Sequence, residues 1–353
     1  MNRRDWLAVA VGALGATLSA PTLHAQARPF DVPALKAGYL RRLRDIRQSG
    51  MLPVFDIESS YNPLYIDLPS FVSAMDKCAI AIMALSVDQP GSLVQKGQTW
   101  SDHNYELVAK YPDRFLPVGN GGNHPAWTRN ANRFLDDNER AIIADRYPLM
   151  GEFEFRHYPS PRQVERGEND RDVNLAIDGP EGNRLFAFAA RTGIPFQIHY
   201  EIEDALLPPL ESMLARYPAA KVIWCHVGQV RWASTAKRYN AAYLRNLFTR
   251  FSNLYVDTAF GGPNSIYPTS RERHARIWAD DGDLKPDWKA LIQEMPWRFL
   301  AALDIGGDRM TAQHVEGWSS NLRRFLGKIP DGAREIVAYR ASWKLLFGED
   351  PAV

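Results

Sequence analysis

The chain has 353 residues, of which 45% are hydrophobic, and 42 basic and 41 acidic residues leave a formal net charge of +1. This composition is typical of a globular protein with one large core. Because charge is balanced and no long basic run occurs, nucleic acid and anionic membranes are not expected partners. Only Cys78 and Cys225 occur. We expect buried, inert thiols, with a disulfide as the alternative in an oxidising compartment.

The N-terminus has the pattern of an export signal. Arg3-Arg4 precede the apolar run Leu7–Ala20, and Ala25-Gln26-Ala27 offers a small-x-small cleavage site. The apolar run is too short to span a bilayer, so residues 1–27 are predicted to be a cleaved signal peptide. The paired arginines favour a twin-arginine signal, and a general secretory signal is the alternative. We therefore expect a periplasmic or secreted protein without a stable membrane anchor.

After a helix or linker at residues 28–50, strand and helix candidates alternate. The strand candidates lie at 53–59, 78–86, 114–120, 149–155, 193–201, 219–229, 253–259 and 297–304. The helix candidates lie at 69–77, 102–110, 129–146, 181–192, 207–218, 233–250, 285–295, 312–326 and 332–346. Alternation of this kind favours parallel pairing, and eight strands predict a (β/α)8 TIM barrel. We expect one domain over residues 51–348, with extra helices at its C-terminal end.

Loop length predicts where the active site lies. The four longest loops, 60–70, 87–101, 156–180 and 260–285, all run from a strand to a helix. In a βα-barrel such loops share one face, which carries the active site, and long loops in compact domains are usually functional. We therefore expect a walled pocket for a small-molecule substrate on that face.

Four side chains with metal-binding chemistry are predicted at the C-terminal ends of strands. They are Glu58 on strand one, His199 on strand five, His226 on strand six and Asp304 on strand eight. Imidazole and carboxylate groups at one barrel mouth suit a divalent transition metal, with zinc as the first expectation. A metal-bound water becomes a nucleophile near neutral pH.

Several motifs resemble the amidohydrolase superfamily, and specifically its amidohydrolase-related group (family 2) of metal-dependent hydrolases and decarboxylases. They are GIPFQIHYE, YPAAKVIWCHVG, the strand end RFLAALD and the tail EIVAYRASWKLLFG. The resemblance covers most of residues 51–348. It implies that His199 and Asp304 bind a metal ion and that His226 binds the ion or assists catalysis.

The chain departs from this family on strand one. The family's His-x-His pair is replaced by Glu58 and Ser60. Glu58 is a candidate carboxylate ligand, so the predicted metal set is Glu58, His199 and Asp304, with His226 beside it. Glu58, His226 and Asp304 are also the predicted catalytic residues. This oxygen-rich set suits manganese or magnesium as well as zinc, and loss of the metal is the further alternative.

Three more residues are predicted to contact substrate. Glu152 on strand four faces either the mouth, where it could also be a base or a ligand, or a partner inside the barrel. His124 follows strand three, and Arg156 follows strand four and suits a substrate carboxylate. A solvated loop position is the alternative for both. Asp257 at the end of strand seven either orients a ligand or caps a turn.

These residues predict an exported hydrolase of an amide, lactone or ester, with metal-activated water as the nucleophile. Two alternatives remain. One is non-oxidative decarboxylation of a carboxylated substrate at the same site, which a free Arg156 would favour. The other is a metal-free periplasmic binding protein, since the strand-one histidines are replaced by Glu58 and Ser60. The oligomeric state stays open, with a homo-oligomer as one option.

Overall fold

The computed structural model describes residues 29–87, 99–122, 125–168, 171–227, 229–267, 270–273 and 276–353. The predicted signal peptide, most of the predicted loop 87–101 and His124 lie outside the described residues. Within those ranges, no helix is both long and apolar enough to cross a membrane.

The described residues form an α/β structure in which strands and helices alternate. The strands are β1 (Val54–Tyr61), β2 (Ile80–Val87), β3 (Phe115–Pro117), β4 (Met150–His157), β5 (Val173–Asn174), β6 (Phe196–Tyr200), β7 (Val222–Trp224), β8 (Leu254–Asp257) and β9 (Phe299–Leu300). The helices are α1 (Val32–Gln48), α2 (Leu68–Lys77), α3 (Trp100–Lys110), α4 (Ala126–Arg129), α5 (Ala131–Asp145), α6 (Pro161–Glu165), α7 (Pro180–Thr192), α8 (Leu207–Arg216), α9 (Ala241–Arg250), α10 (Pro286–Glu294), α11 (Ala312–Leu326), α12 (Asp331–Glu335) and α13 (Ala341–Phe347). A π-helix, Ile336–Arg340, joins the last two, and 3₁₀ turns occupy Pro296–Arg298 and Gly307–Arg309.

The strands form two sheets, ordered β1-β2-β3 and β5-β4-β6-β7-β8-β9. All neighbours pair in parallel except β4 and β5, which pair antiparallel. Parallel neighbours require crossover connections, and helices supply most of them here. The predicted fifth to eighth strands correspond to β6, β7, β8 and β9, and the short β5 inside the loop after β4 was not predicted.

Backbone hydrogen bonds connect the two sheets at both of their junctions. Gly119 forms a parallel bridge with Met150, which joins the segment after β3 to β4. On the other side, the Ile57 N–H donates to the Ala301 carbonyl at 2.9 Å, and the Asp304 N–H donates to the Glu58 carbonyl at 3.0 Å. The segment after β9 therefore runs beside β1, which places Asp304 next to Glu58.

Burial on both faces explains why the strands read as continuous apolar runs. Every residue of β2 except Ser86 is buried. Such two-sided burial is typical of a parallel sheet covered by helices. Four tryptophans are among the largest fully buried side chains of the core, Trp127, Trp224, Trp278 and Trp343.

The structure corrects four of the predicted element boundaries. His226 and Asp304 do not lie in strands, because β7 ends at Trp224 and β9 at Leu300. Both residues adopt left-handed backbone conformations, with φ of 56° for His226 and 52° for Asp304, so strand alternation does not set their direction. Helix α9 begins at Ala241 rather than near residue 233, because Asn240 caps it by accepting the Tyr243 N–H. Arg156 lies within β4 rather than in the loop after it.

Candidate active site

Two imidazole rings and one carboxylate meet between β4, the end of β6 and the segment after β7. Glu152 Oε1 lies 3.1 Å from His199 Nδ1 and 3.1 Å from His226 Nε2. One potential ligand atom from each residue lies within 4.8 Å of the other two, and both histidines are buried. Two nitrogens and one carboxylate oxygen at this spacing form a donor set of the kind that holds zinc or a similar divalent ion.

The outer nitrogen of each imidazole faces a hydrogen-bond acceptor. His226 Nδ1 lies 3.0 Å from the Ala259 carbonyl oxygen, and His199 Nε2 lies 3.5 Å from Glu201 Oε1. Metal-binding histidines generally donate this outer N–H to a carbonyl or carboxylate, which leaves the inner nitrogen free to bind the ion. The environment of both rings therefore matches that of metal ligands.

The backbone around Glu152 and His226 is held by specific contacts. Gly151 has a φ of +130°, and a Cβ added there would lie 2.6 Å from Gln197 Cβ, so only glycine fits beside β6. Asp257 Oδ1 accepts the N–H groups of His226 at 2.8 Å and Ala259 at 2.9 Å. Asp257 thus orients His226 through the backbone and fixes the carbonyl that the ring contacts.

The charges of the three groups are strongly coupled. Burial alone would raise the pKa of Glu152, but the neighbouring His199 and His226 outweigh it and hold that pKa well below its usual range. Burial alone would lower the pKa of His199, but the Glu152 carboxylate raises it to about 9. Without a metal ion the cluster therefore retains protons on its imidazoles, and a bound cation would replace them.

A second group lies beside the first. Glu58, His226 and Asp257 also bring one potential ligand atom each within 4.8 Å of the others. Glu58 Oε2 and Asp257 Oδ2 are buried and have no hydrogen-bond partner in the described structure. Burial, followed by the charges of Asp304 and Glu152, raises the pKa of Glu58 well above its usual value. Glu58 is therefore a carboxyl group able to hold a proton beside the histidine pair.

Asp304 belongs to neither of these groups. Its Oδ1 lies 3.3 Å from Arg309 Nη2, and its side chain is 38% exposed. The carboxylate between the two histidines is therefore that of Glu152. The predicted ligand set instead has the carboxylates of Glu58 and Asp304. Asp304 lies at the edge of the site, next to Glu58 along the backbone.

Arg156 was predicted to bind a substrate carboxylate, but carboxylates of the chain itself occupy it. Its Nη1 lies 2.6 Å from Asp172 and its Nε lies 2.8 Å from Glu203. Nη1 also donates to the Val173 carbonyl, and the guanidinium stacks 3.6 Å from the centre of the Tyr158 ring. Arg156 ties the loop after β4 to the segment after β6.

Other titratable side chains lie next to His199. Glu154 pairs with Arg171, and burial raises the pKa of Glu154 to about 7. His157 packs against His199 with ring centres 4.6 Å apart, and burial lowers the pKa of His157 to about 3. The sequence offered no signal for Arg171, because it lies in an irregular loop without periodicity.

The comparisons agree with this architecture. The family model described as amidohydrolase matches residues 95–298, which is more than half of the chain. A solved structure of an amidohydrolase II is 14% identical with a TM-score of 0.51, and the match covers 83% of this chain and 99% of that one. At this identity the likeness shows a shared fold. The comparison with curated proteins returns no match.

Two further solved structures have lower TM-scores. A dihydroxybenzoic acid decarboxylase from Polaromonas with bound manganese is 15% identical, with a TM-score of 0.47 and coverage of 84% and 97%. A probable 2-pyrone-4,6-dicarboxylic acid hydrolase from Acinetobacter baumannii is 14% identical, with a TM-score of 0.44 and coverage of 84% and 99%. The family model covers β4, β6 and β7 with Glu152, His199 and His226, and the chain belongs to the amidohydrolase family.

Proposed function

We propose that the protein is a metal-dependent hydrolase that cleaves an amide, lactone or ester bond in a small organic substrate. One observation carries the proposal: His199 Nδ1 and His226 Nε2 converge on one oxygen of Glu152, each at 3.1 Å. These three residues would hold the ion. Three protein ligands leave a coordination position open, as catalytic zinc sites do.

A divalent ion held there would supply a Lewis acid for the substrate carbonyl and lower the pKa of a water molecule. Glu58 is the residue placed to move the proton, because its Oε2 is buried without a partner in the described structure. The positive charge of a bound ion would favour the ionised form of Glu58. The carboxylate then takes the proton as water attacks the carbonyl carbon and returns it to the departing oxygen or nitrogen. His226 keeps a ligand role rather than a proton-transfer role, since its Nδ1 is directed at the Ala259 carbonyl.

Hydrolysis is favoured over decarboxylation because Arg156 is already paired with carboxylates of the chain. A cationic side chain beside the metal ion would favour a carboxylated substrate, and Arg156 was the residue that the sequence offered for that task. Its guanidinium instead contacts Asp172, Glu203 and the Val173 carbonyl. Burying another carboxylate beside these two would add like-charge repulsion.

The test combines metal analysis with isotope labelling. Purified protein is loaded with Zn²⁺ or Mn²⁺, and lactones, esters, amides and carboxylated phenols are supplied in H₂¹⁸O. Hydrolysis places one ¹⁸O atom in the acid product, whereas decarboxylation releases carbon dioxide and leaves the organic product unlabelled. We expect labelled acid, and loss of both the ion and turnover in Glu152→Gln and His199→Asn.

Glu58→Gln is the informative companion variant. It should retain the ion and lose turnover, because Glu58 is assigned to proton transfer rather than to metal binding. Wild-type protein that binds neither ion would refute the metal-dependent mechanism. Unlabelled product together with released carbon dioxide would show decarboxylation and refute hydrolysis.

We further propose that the two sheets form one closed barrel and that the protein is exported. The hydrogen bonds at both sheet junctions support one closed (β/α)8 barrel within a single domain at residues 51–348. The arginine pair and apolar run of residues 1–27 support export to the periplasm or beyond. N-terminal sequencing of the protein recovered from the periplasm tests the cleavage site, which we expect after Ala27.

A further inference from the structure

We propose that Glu201, locked in place by Arg231, is a positioning residue that holds the His199 ring with Nε2–H outward and Nδ1 directed at the metal site. This inference rests on the proposed function, because it assigns a role toward the ion that Glu152, His199 and His226 would bind. It adds two residues that neither the sequence patterns nor the metal cluster itself identified.

Glu201 connects His199 to a fixed cation. Its Oε1 lies 3.5 Å from His199 Nε2 and 2.7 Å from Arg231 Nη2. The Glu201 side chain is only 2% exposed, and that of Arg231 is 12% exposed. The contact with His199 is at the long end of the hydrogen-bond range, whereas the contact with Arg231 is short. The arginine therefore fixes the position of the carboxylate, and the carboxylate in turn orients the imidazole ring.

One oxygen of Glu201 faces both partners. Oε1 accepts from Arg231 Nη2 at 2.7 Å and lies 3.5 Å from His199 Nε2. A carboxylate oxygen held by an arginine remains a hydrogen-bond acceptor, so it favours a proton on the imidazole nitrogen that faces it. With an ion bound, the lone pair of the ring is then on Nδ1, in place of the proton that Nδ1 shares with Glu152 when no ion is bound.

The same network reaches the outer nitrogen of the second histidine. Arg231 lies 3.9 Å from the centre of the Tyr267 ring, and the Tyr267 hydroxyl donates to Gln229 Oε1 at 2.7 Å. Gln229 Nε2 donates at 3.2 Å to the Ala259 carbonyl, which is also the acceptor that faces His226 Nδ1. A continuous chain of contacts across the loops after β6, β7 and β8 therefore fixes both rings.

The chain contains a matched control two residues away. Glu203 pairs with Arg156 at 2.8 Å and accepts the Tyr158 hydroxyl at 3.0 Å, so it also forms a carboxylate–arginine pair beside a tyrosine. No contact between Glu203 and an imidazole occurs in the described part of the chain. Glu201→Gln and Glu203→Gln thus remove the same charge from equivalent pairs, and only the first removes it from His199.

The experiment measures Zn²⁺ affinity by competition with a chromophoric chelator, and the histidine ring ¹⁵N and N–H resonances by NMR. Partners of metal-binding histidines typically change metal affinity about 10- to 100-fold. We expect a loss of that size in Glu201→Gln, together with loss of the slowly exchanging His199 Nε2–H signal, and wild-type behaviour in Glu203→Gln. Resonances are assigned with His199→Asn.

If Glu201→Gln does not fold because Arg231 is left unpaired, the Glu201→Gln/Arg231→Met double variant removes both charges, which is often tolerated. It should show the same loss of affinity. Equal effects of Glu201→Gln and Glu203→Gln, or an unchanged Nε2–H signal, would overturn the inference. Wild-type protein that binds no Zn²⁺ would refute the proposed function instead. The positioning role of Glu201 is then tested by the Nε2–H signal of the metal-free protein. Loss of this signal in Glu201→Gln, but not in Glu203→Gln, still supports that role.

Discussion

Replacement of Arg156 by methionine separates a structural role from a substrate-binding role. The structure predicts that Arg156→Met lowers stability and leaves substrate affinity largely unchanged in molecules that still fold. Methionine retains an unbranched apolar side chain that can pack on the Tyr158 ring, and it removes the guanidinium that contacts Asp172 and Glu203. The decrease in the free energy of unfolding therefore measures the contribution of the charged contacts.

The magnitude follows from the exposure of the partners. The Arg156 side chain is 9% exposed and that of Glu203 is 20% exposed, so this pair is largely shielded from water. Asp172 is 51% exposed, and its pair contributes at most about 1 kcal/mol. Removing one member of a buried pair costs about 3–5 kcal/mol, and the partial exposure of Glu203 places the total at about 3 kcal/mol.

Arg184→Met is the matched control. Arg184 also contacts two carboxylates, Glu139 at 2.8 Å and Asp136 at 2.7 Å, but it is 31% exposed and joins two helices away from the site. This change should cost about 1 kcal/mol or less. Urea unfolding followed by tryptophan fluorescence measures both. An unchanged unfolding curve for Arg156→Met, with KM raised only for carboxylated substrates, would refute the structural role and restore the substrate-binding prediction.

Three further outcomes are expected. Asn253→Ala should lower the free energy of unfolding in urea by about 1–3 kcal/mol, because the Asn253 amide donates to the carbonyls of Leu214, Tyr217 and Ala220 inside the protein. Asn246→Ala, at an exposed position, is the control, and equal unfolding curves for the two variants would contradict the prediction. Gly151→Ala should abolish Zn²⁺ binding or folding, whereas Gly332→Ala, with nothing within 4 Å, should do neither. Both cysteines are free, so denatured, non-reduced protein should titrate as two thiols per chain, with buried Cys225 reacting slowly before unfolding; one or no thiol would show a disulfide.

The alternation of strands and helices could be predicted because two-sided burial makes each central strand a short apolar run. The candidate at 78–86, for example, corresponds to β2 at Ile80–Val87. The junction between the sheets was predicted only in outline, because a closed barrel places the predicted strand 297–304 beside strand one. The hydrogen bonds between Ile57 and Ala301 and between Glu58 and Asp304 lie there, but β9 ends at Leu300, so the detailed pairing of the irregular segment after it could not be predicted.

Within the site, strand order predicted that His199 and His226 would be neighbours. The position of Glu152 was left open, because its direction depends on the left-handed Gly151 and on the close approach of Gln197. The role of Arg156 was open for a different reason. Its partners lie 16 and 47 residues away, and no local pattern shows which carboxylates reach it.

The replacement of the second strand-one histidine by Ser60 agrees with the close packing at that position. A Cβ added at Gly306 would lie 2.1 Å from the Ser60 hydroxyl oxygen, so β1 and the segment after β9 pack closely there. An imidazole at position 60 would have to enter this tight contact, whereas serine fits. The site therefore holds its nitrogen donors on the β6 and β7 side, with Glu152 between them. Glu58 remains across from them as a buried carboxyl group with one unpaired oxygen in the described structure, which suits proton transfer better than service as one of several ligands.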